Sequence, residues 1–395
     1  MSEWKEYKLG EIAEIIPGFA FKSKEFGKIG ELVIKIKDIN PPYIILSAME
    51  RVDTSSYPKD KLGKYKLAKG DFVVAMTGAT IGKVGKLKTD VLAYINQRVA
   101  KIKAKNCVCN DFIYYSISTE QFQAFIRNNI DSNTAQENIS AISIGKFPIL
   151  LPPLPEQKAI ASILSSLDDK IDLLHRQNAT LEKMAETLFR QRFIEEAKEE
   201  WKEGRVSDYA LHLKDSIQPQ KNPSTFYFHY SISSFDNGRI PITELGEEVK
   251  SNKYKVPKNC ILFSKLNPHK EKRVWLLQDE VEENSICSTE FQVIFPKNKQ
   301  HLYFLYGWLT FNENYNEIAS GVGGTSSSHQ RIDPKAIYEF QCPLISDSVI
   351  ENFNVKIKPI FMKQVINQNQ IRTLTALRDT LLPKLMSGEI RVNQT

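Results

Sequence analysis

Three places in this 395-residue chain carry side chains whose types and spacing suit chemistry. Asn40-Pro41-Pro42-Tyr43 has the Asn-Pro-Pro-aromatic form with which amino-methyltransferases hold a flipped base. In that chemistry the Asn amide and a Pro carbonyl grip the target amine while the ring stacks on the base. It also requires a strand ending in a Gly-rich turn to hold S-adenosylmethionine. The nearest match, Ala319-Ser320-Gly321-Val322-Gly323-Gly324, lacks the usual aromatic and follows the polar run Asn312-Glu313-Asn314-Tyr315-Asn316. The preferred reading of Asn40 to Tyr43 is therefore a turn after a strand, where Pro-Pro forces extended backbone. Gly78-Ala79-Thr80-Ile81-Gly82-Lys83 is one residue short of a phosphate-binding loop, which needs Gly at 77 and Ser or Thr at 84, where Thr77 and Val84 stand. The cysteines, at 107, 109, 260, 287 and 342, and the six scattered histidines lack the paired short spacings of a structural zinc site. No carboxylate cluster suits a nuclease. The expectation is a chain with no catalytic residue, no metal site and reduced thiols.

The basic residues say more. The net charge is +6, from 53 Lys and Arg against 47 Asp and Glu, and it is unevenly placed. Residues 59–105 hold 12 basic and 3 acidic side chains, residues 253–273 hold 7 and 1, and the remainder is net acidic. Lysines neutralise phosphates and give sequence-independent affinity, whereas Arg, Asn, Gln, Ser and Thr on loops read base edges. The first block and its surroundings offer Lys35, Lys37, Thr77, Thr80, Lys83, Lys86, Asn96, Gln97 and Arg98. The second offers Lys265, Asn267, His269, Lys270, Lys272 and Arg273, with Thr325, Ser327, His329 and Arg331 in a Gly- and Ser-rich loop. Arg98 and Glu290 each fall within an expected core strand, which would make them structural.

Elements able to position two such blocks are visible as a repeat. Trp4-Lys5-Glu6 recurs as Trp201-Lys202-Glu203, and Phe112-Ile113-Tyr114-Tyr115 answers Phe304-Leu305-Tyr306-Gly307. Lys69-Gly70-Asp71-Phe72-Val73-Val74-Ala75 has the pattern of Lys258-Asn259-Cys260-Ile261-Leu262-Phe263-Ser264, a turn followed by a buried strand. Each β-rich half precedes a long helical pattern. In the first, Ile160, Leu167, Leu174, Leu181 and Leu188 recur every seven residues, interleaved with Leu164, Ile171 and Asn178. In the second, Ile360, Asn367, Leu374 and Leu381 form one row and Gln364 and Ile371 belong to the other. Alternating 3 and 4 spacing is a coiled-coil seam, and two similar seams in one chain predict that the helices pair. A helix over residues 155–193 spans about 58 Å, enough to hold flanking domains apart. Antiparallel alignment of Pro155 with Ser387 sets Asn178 opposite Gln364 and one turn from Asn367, a buried polar layer fit to fix register. No apolar run reaches the ~20 residues that cross a bilayer, and Met1-Ser2-Glu3-Trp4-Lys5-Glu6 is not a signal peptide. The expected location is cytoplasmic, with no membrane partner.

Leu151-Pro152-Pro153-Leu154-Pro155-Glu156-Gln157 with Ile163-Leu164-Ser165-Ser166-Leu167-Asp168-Asp169-Lys170-Ile171, and the later Leu377-Arg378-Asp379-Thr380-Leu381-Leu382-Pro383-Lys384-Leu385-Met386-Ser387-Gly388-Glu389-Ile390, resemble the central and distal conserved regions of type I restriction–modification specificity subunits. Phe19-Ala20-Phe21-Lys22-Ser23, Gly78 to Lys83 and Asn96-Gln97-Arg98 resemble motifs of one recognition-domain subfamily. Ser264-Lys265-Leu266-Asn267-Pro268, Arg273-Val274-Trp275 and Ser288-Thr289-Glu290-Phe291 resemble those of another.

The resemblance implies an α+β fold of two β-rich target recognition domains separated by two long antiparallel coiled-coil helices, a pseudo-twofold internal repeat. The expected organisation is recognition domains at 1–150 and 201–345, a central spacer helix at 151–200 and a C-terminal one at 346–395. It further implies a non-catalytic subunit that reads a bipartite, asymmetric site in double-stranded DNA and positions two methyltransferase subunits and the restriction subunits. S-adenosylmethionine, ATP and Mg would belong to those partners, none to this chain. The competing readings are a self-sufficient adenine methyltransferase using Asn40 to Tyr43, and a helical scaffold that binds no DNA.

Overall fold

The structure, a computed structural model, describes residues 4–47, 49–55, 57–130, 137–323 and 330–392. Two compact units divide the chain: residues 1–173 with 370–395, and residues 174–369.

In the first unit the apolar run Phe72–Ala75 is a central strand buried on both faces. It enters from a tight turn in which Gly70 takes φ +91°, a conformation that costs a side-chain-free residue little. Val99–Ala104 and Val84–Lys86 flank it antiparallel, and Ala13–Pro17 adds beyond Val99–Ala104. A second sheet pairs Glu31–Ile34 parallel to Ala93–Ile95, with Lys66–Leu67 antiparallel on the far side. Helices Asn110–Ile117 and Glu120–Asn128 cover the first sheet through Phe112, Ile113, Phe122 and Ile126.

The second unit repeats this arrangement in order and in register. Cys260–Ser264 is central, between Phe291–Pro296 and Val274–Leu277, with Ala210–Leu213 outermost. Val74 faces Val84 and Ala100 in the first unit, as Phe263 faces Val274 and Gln292 in the second. Its other sheet pairs Phe226–Tyr230 parallel to Ser285–Ser288, with Lys253–Lys255 antiparallel alongside. Asn259, at φ +57°, occupies the turn position that Gly70 holds in the first unit.

The helical patterns form two continuous helices, Leu154–Arg190 (37 residues), which runs on through a π turn at Gln191–Glu195, and Asp347–Met386 (40 residues). Within the first unit Ile160 and Leu164 of the central helix pack in one core with Leu385 of the C-terminal helix. Within the second, Ala185, Phe189 and Phe193 pack with Phe353, Ile357, Ile360 and Phe361. In each unit the beginning of one helix meets the end of the other, so the pairing is antiparallel. Every predicted seam position is buried or half-buried: Ile160, Leu164, Leu167, Ile171, Leu174, Asn178, Leu181, Leu188, Ile360, Gln364, Asn367, Ile371, Leu374 and Leu381. Asn367 is fully buried. It donates from Nδ2 to Asn178 Oδ1 at 2.9 Å, while Gln364 Nε2 donates to the Asn178 carbonyl at 3.1 Å. The fold is thus an internally repeated α+β fold with two long antiparallel helices.

Candidate nucleic-acid interface

In the first unit, strand Phe72–Ala75 runs out into an edge where three loops meet. Met76 donates its N–H to Arg98 O at 2.9 Å, Ile139 donates to Met76 O at 3.0 Å, and Ala75 donates to Lys83 O at 2.9 Å. Thr77 bridges to Asn138, and Phe19 bridges to Asn96. The approach beside Asn96 is close enough to require glycine: a Cβ on Gly18 would sit 2.1 Å from Asn96 O. These bonds present Lys83, Gln97 and Arg98 to solvent and half-bury Thr77, Thr80 and Asn96. The hydroxyl oxygens of Thr77 and Thr80 are buried with no partner among the described residues. Arg98 therefore lies in an exposed turn between two strands and not inside a core strand, because the apolar run resumes only at Val99.

The second unit builds the same edge. Lys265 donates its N–H to Glu290 O at 3.0 Å, Ile332 donates to Lys265 O at 3.0 Å, and Ser264 donates to Arg273 O at 2.9 Å. Leu266 bridges to Arg331, and Asn267, at φ +47°, donates its N–H to Gln330 O at 2.9 Å. Lys265 and Asn267 are half-buried and His269 and Lys270 are exposed. Glu290 also lies in a turn, just ahead of its strand, where its carboxylate takes a two-point ion pair from Arg331. Thr325, Ser327 and His329 lie outside the described residues.

Many of the predicted cations are held by internal partners. Lys35 and Lys37 both reach Glu50, at 2.5 and 2.8 Å, and this pair of cations holds the Glu50 carboxyl below its usual pKa. Lys86 pairs with Asp111 at 2.8 Å over the Tyr114 ring. Two further lysines of the first basic block, not among the candidates, are held likewise: Lys88 reaches Asp169 and Lys101 reaches Asp71. Arg273 is only 11% exposed, its Nε and Nη2 on Asp236 at 2.7 and 2.9 Å and Nη2 also on Glu271 at 2.5 Å. Lys272 donates to Thr310 O and Asn312 Oδ1, and burial lowers its pKa. Desolvation also argues against treating either block as a uniformly solvated cationic face. Lys83, Arg98, His269 and Lys270 remain exposed, their side chains unpaired among the described residues.

Two groups of the Asn40-Pro41-Pro42-Tyr43 turn are tied into the fold. Pro42 O, one of the two Pro carbonyls of the motif, accepts from the Lys86 N–H and the Tyr114 hydroxyl, each at 3.0 Å. The Tyr43 ring that would stack on a base lies under the Lys88 ammonium, 4.3 Å from its centroid. Among the described residues no group of three His, Cys, Asp or Glu is placed to hold a metal ion. Nor is any helix there long and apolar enough to cross a membrane.

Asn138 was missed by inspection of motifs. The repeat itself carries the signal: Asn138-Ile139 stands to the first unit as Arg331-Ile332 stands to the second, in bridge and hydrogen bond alike.

Residues 1–183 match the family described as the type I restriction modification DNA specificity domain. The chain is 27% identical to the type I restriction enzyme MjaIX specificity subunit of Methanocaldococcus jannaschii, across 99% of this chain and 94% of that protein. It is 23% identical to the HindI specificity subunit of Haemophilus influenzae, across 99% of this chain and 100% of that one. The crystal structure of the S subunit of a type I restriction–modification system from M. genitalium shares the fold, with a TM-score of 0.60 at 15% identity, covering 99% of this chain and 97% of that one.

Proposed function

We propose that this chain is a member of the specificity-subunit family of type I restriction–modification systems, and that each of its two units reads one half of a bipartite, asymmetric DNA site. It is a DNA-recognition subunit, not an enzyme. The observation that carries the bipartite reading is the repeated edge. Two loop clusters hang from the same backbone hydrogen bonds, yet one presents Arg98, Asn138 and Lys83 where the other presents Glu290, Arg331 and Arg273. Equal scaffolds with unequal side chains suit two readers of unequal sequences. Exposed Lys83, His269 and Lys270 supply phosphate contacts. Asn, Gln and Arg at the edges supply base contacts. In this reading the two long helices dock two methyltransferase subunits, which bring S-adenosylmethionine, and restriction subunits, which bring ATP and Mg, join the assembly.

Selection of binders from a random duplex library by the full chain tests this. The expected outcome is two short preferred blocks separated by an unselected gap. A chain lacking any preference would instead be a helical scaffold, and a single contiguous block would defeat the bipartite reading. Exchanging residues 201–345 for the corresponding segment of a relative should then alter one block and leave the other unchanged.

A further inference from the structure

Resting on that reading, we propose that Arg331 reads a guanine in the half-site of the second unit, with Glu290 as its positioning residue. The backbone of Arg331 is fixed twice over. It bridges to Leu266, two residues beyond the central strand, and it pairs with Gly323 in a short antiparallel ladder. Next to it, fully buried Ile332 anchors to Lys265 O. The side chain is equally constrained. Nε donates to Glu290 Oε2 at 3.0 Å and Nη2 donates to Oε1 at 2.8 Å, so one fork of the guanidinium is closed on the carboxylate.

A guanidinium carries five N–H donors in one plane. With the Nε and Nη2 edge taken, the Nη1 and Nη2 edge keeps two parallel donors that meet no acceptor among the described residues. Guanine N7 and O6 in the major groove accept such a pair of donors from one fork. The carboxylate also fixes the guanidinium plane, so less rotamer freedom remains to be lost on binding. Arg331 is 48% exposed, which leaves that edge accessible.

Two comparisons within the chain single this residue out. Arg273, the other arginine of the edge, is 11% exposed and faces two carboxylates, Asp236 and Glu271. It holds the loop and leaves no matching free edge. In the first unit, the place of Arg331 is taken by Asn138, which bridges to Thr77 as Arg331 bridges to Leu266. An Asn side chain also matches a base edge at two points, its amide donor and acceptor meeting those of adenine. Both units thus put a base-reading side chain on the same bridge.

The test uses the full chain and the duplex preferred by the wild type. Arg331→Ala should lose roughly 10- to 100-fold of the discrimination at one G·C pair of one block. It should leave the other block and binding to an unrelated duplex unchanged. Arg331→Lys should fail to restore the discrimination, since an ammonium lacks the fork. Glu290→Gln should weaken it at that same base pair and nowhere else. Thermal unfolding of each variant identifies any that fail to fold. An equal loss on all duplexes would make Arg331 a phosphate contact and overturn the proposal, as would unchanged preference at every position of Arg331→Ala. A wild-type chain with no sequence preference would instead defeat the underlying DNA-reading function.

Discussion

Arg273 and Arg331 look alike in the sequence, each an arginine in a basic or polar loop, and their partners separate them. The Asp236 and Glu271 contacts make Arg273 part of the loop's frame. Arg273→Ala is therefore expected to lower the stability of the second unit by about 0.5–1.5 kcal/mol, the loss of its hydrogen bonds to two carboxylates that water can re-solvate. Denaturant unfolding measures this, and an unchanged midpoint would contradict it. His212 and His229 yield a pH prediction. Burial is the main cause that pushes both below the ordinary histidine value of 6.5. Nearby Lys214 and Lys265 lower His212 further and Lys253 lowers His229, while Gln292 and Glu244 oppose the shifts. The unfolded chain therefore binds more protons in the window just below 6.5. The stabilisation is fully present above 6.5 and is lost as pH falls through the folded values. The melting temperature of the second unit should drop between pH 7.5 and 5.5, and His229→Gln should flatten the slope. A flat wild-type profile would refute this. At this scale the sequence was least legible. Lys86–Asp111, Lys88–Asp169 and Lys101–Asp71 join residues 25, 81 and 30 positions apart, and nothing in the local pattern tells a paired lysine from a free one.

The helices were far more legible, because the spacing of apolar residues along a helix fixes which face is buried, whatever lies opposite. The seam and its polar layer both follow from the spacing. The layer has a measurable cost. Asn367 is fully buried and satisfies Asn178, with Gln177 at 3.4 Å. Asn367→Leu removes the donor and leaves Asn178 Oδ1 short of a partner, for an expected loss of about 1–3 kcal/mol. Replacing both asparagines by leucine should recover that stability and loosen the register, since a single polar position specifies alignment at the expense of stability. A single variant more stable than the wild type in thermal unfolding would rule out this role. Strand order was less legible than the helices: the repeat implied that two halves share a plan, but a parallel pair such as Glu31–Ile34 with Ala93–Ile95 joins segments about 60 residues apart, beyond any local signal.

On the scale of the whole chain, the two units differ in one respect that their matching sheets conceal. The second is a single uninterrupted stretch, residues 174–369, whereas the first is assembled from residues 1–173 and 370–395. Its late segment is no ornament. Arg391 grips Glu156 at 2.7 and 2.9 Å, Trp4 donates to the same carboxylate at 3.2 Å, and Leu385 is buried in the core with Leu164. During translation the second unit has every residue it needs as soon as residue 369 leaves the ribosome. The first, although synthesised earlier, must wait for the last segment to close its core. A released chain truncated after residue 369 is therefore expected to show native-like protease resistance over residues 174–369 while residues 1–173 stay susceptible. The part of the molecule made first is the part completed last, and until then its half-open core is open to capture by chaperones.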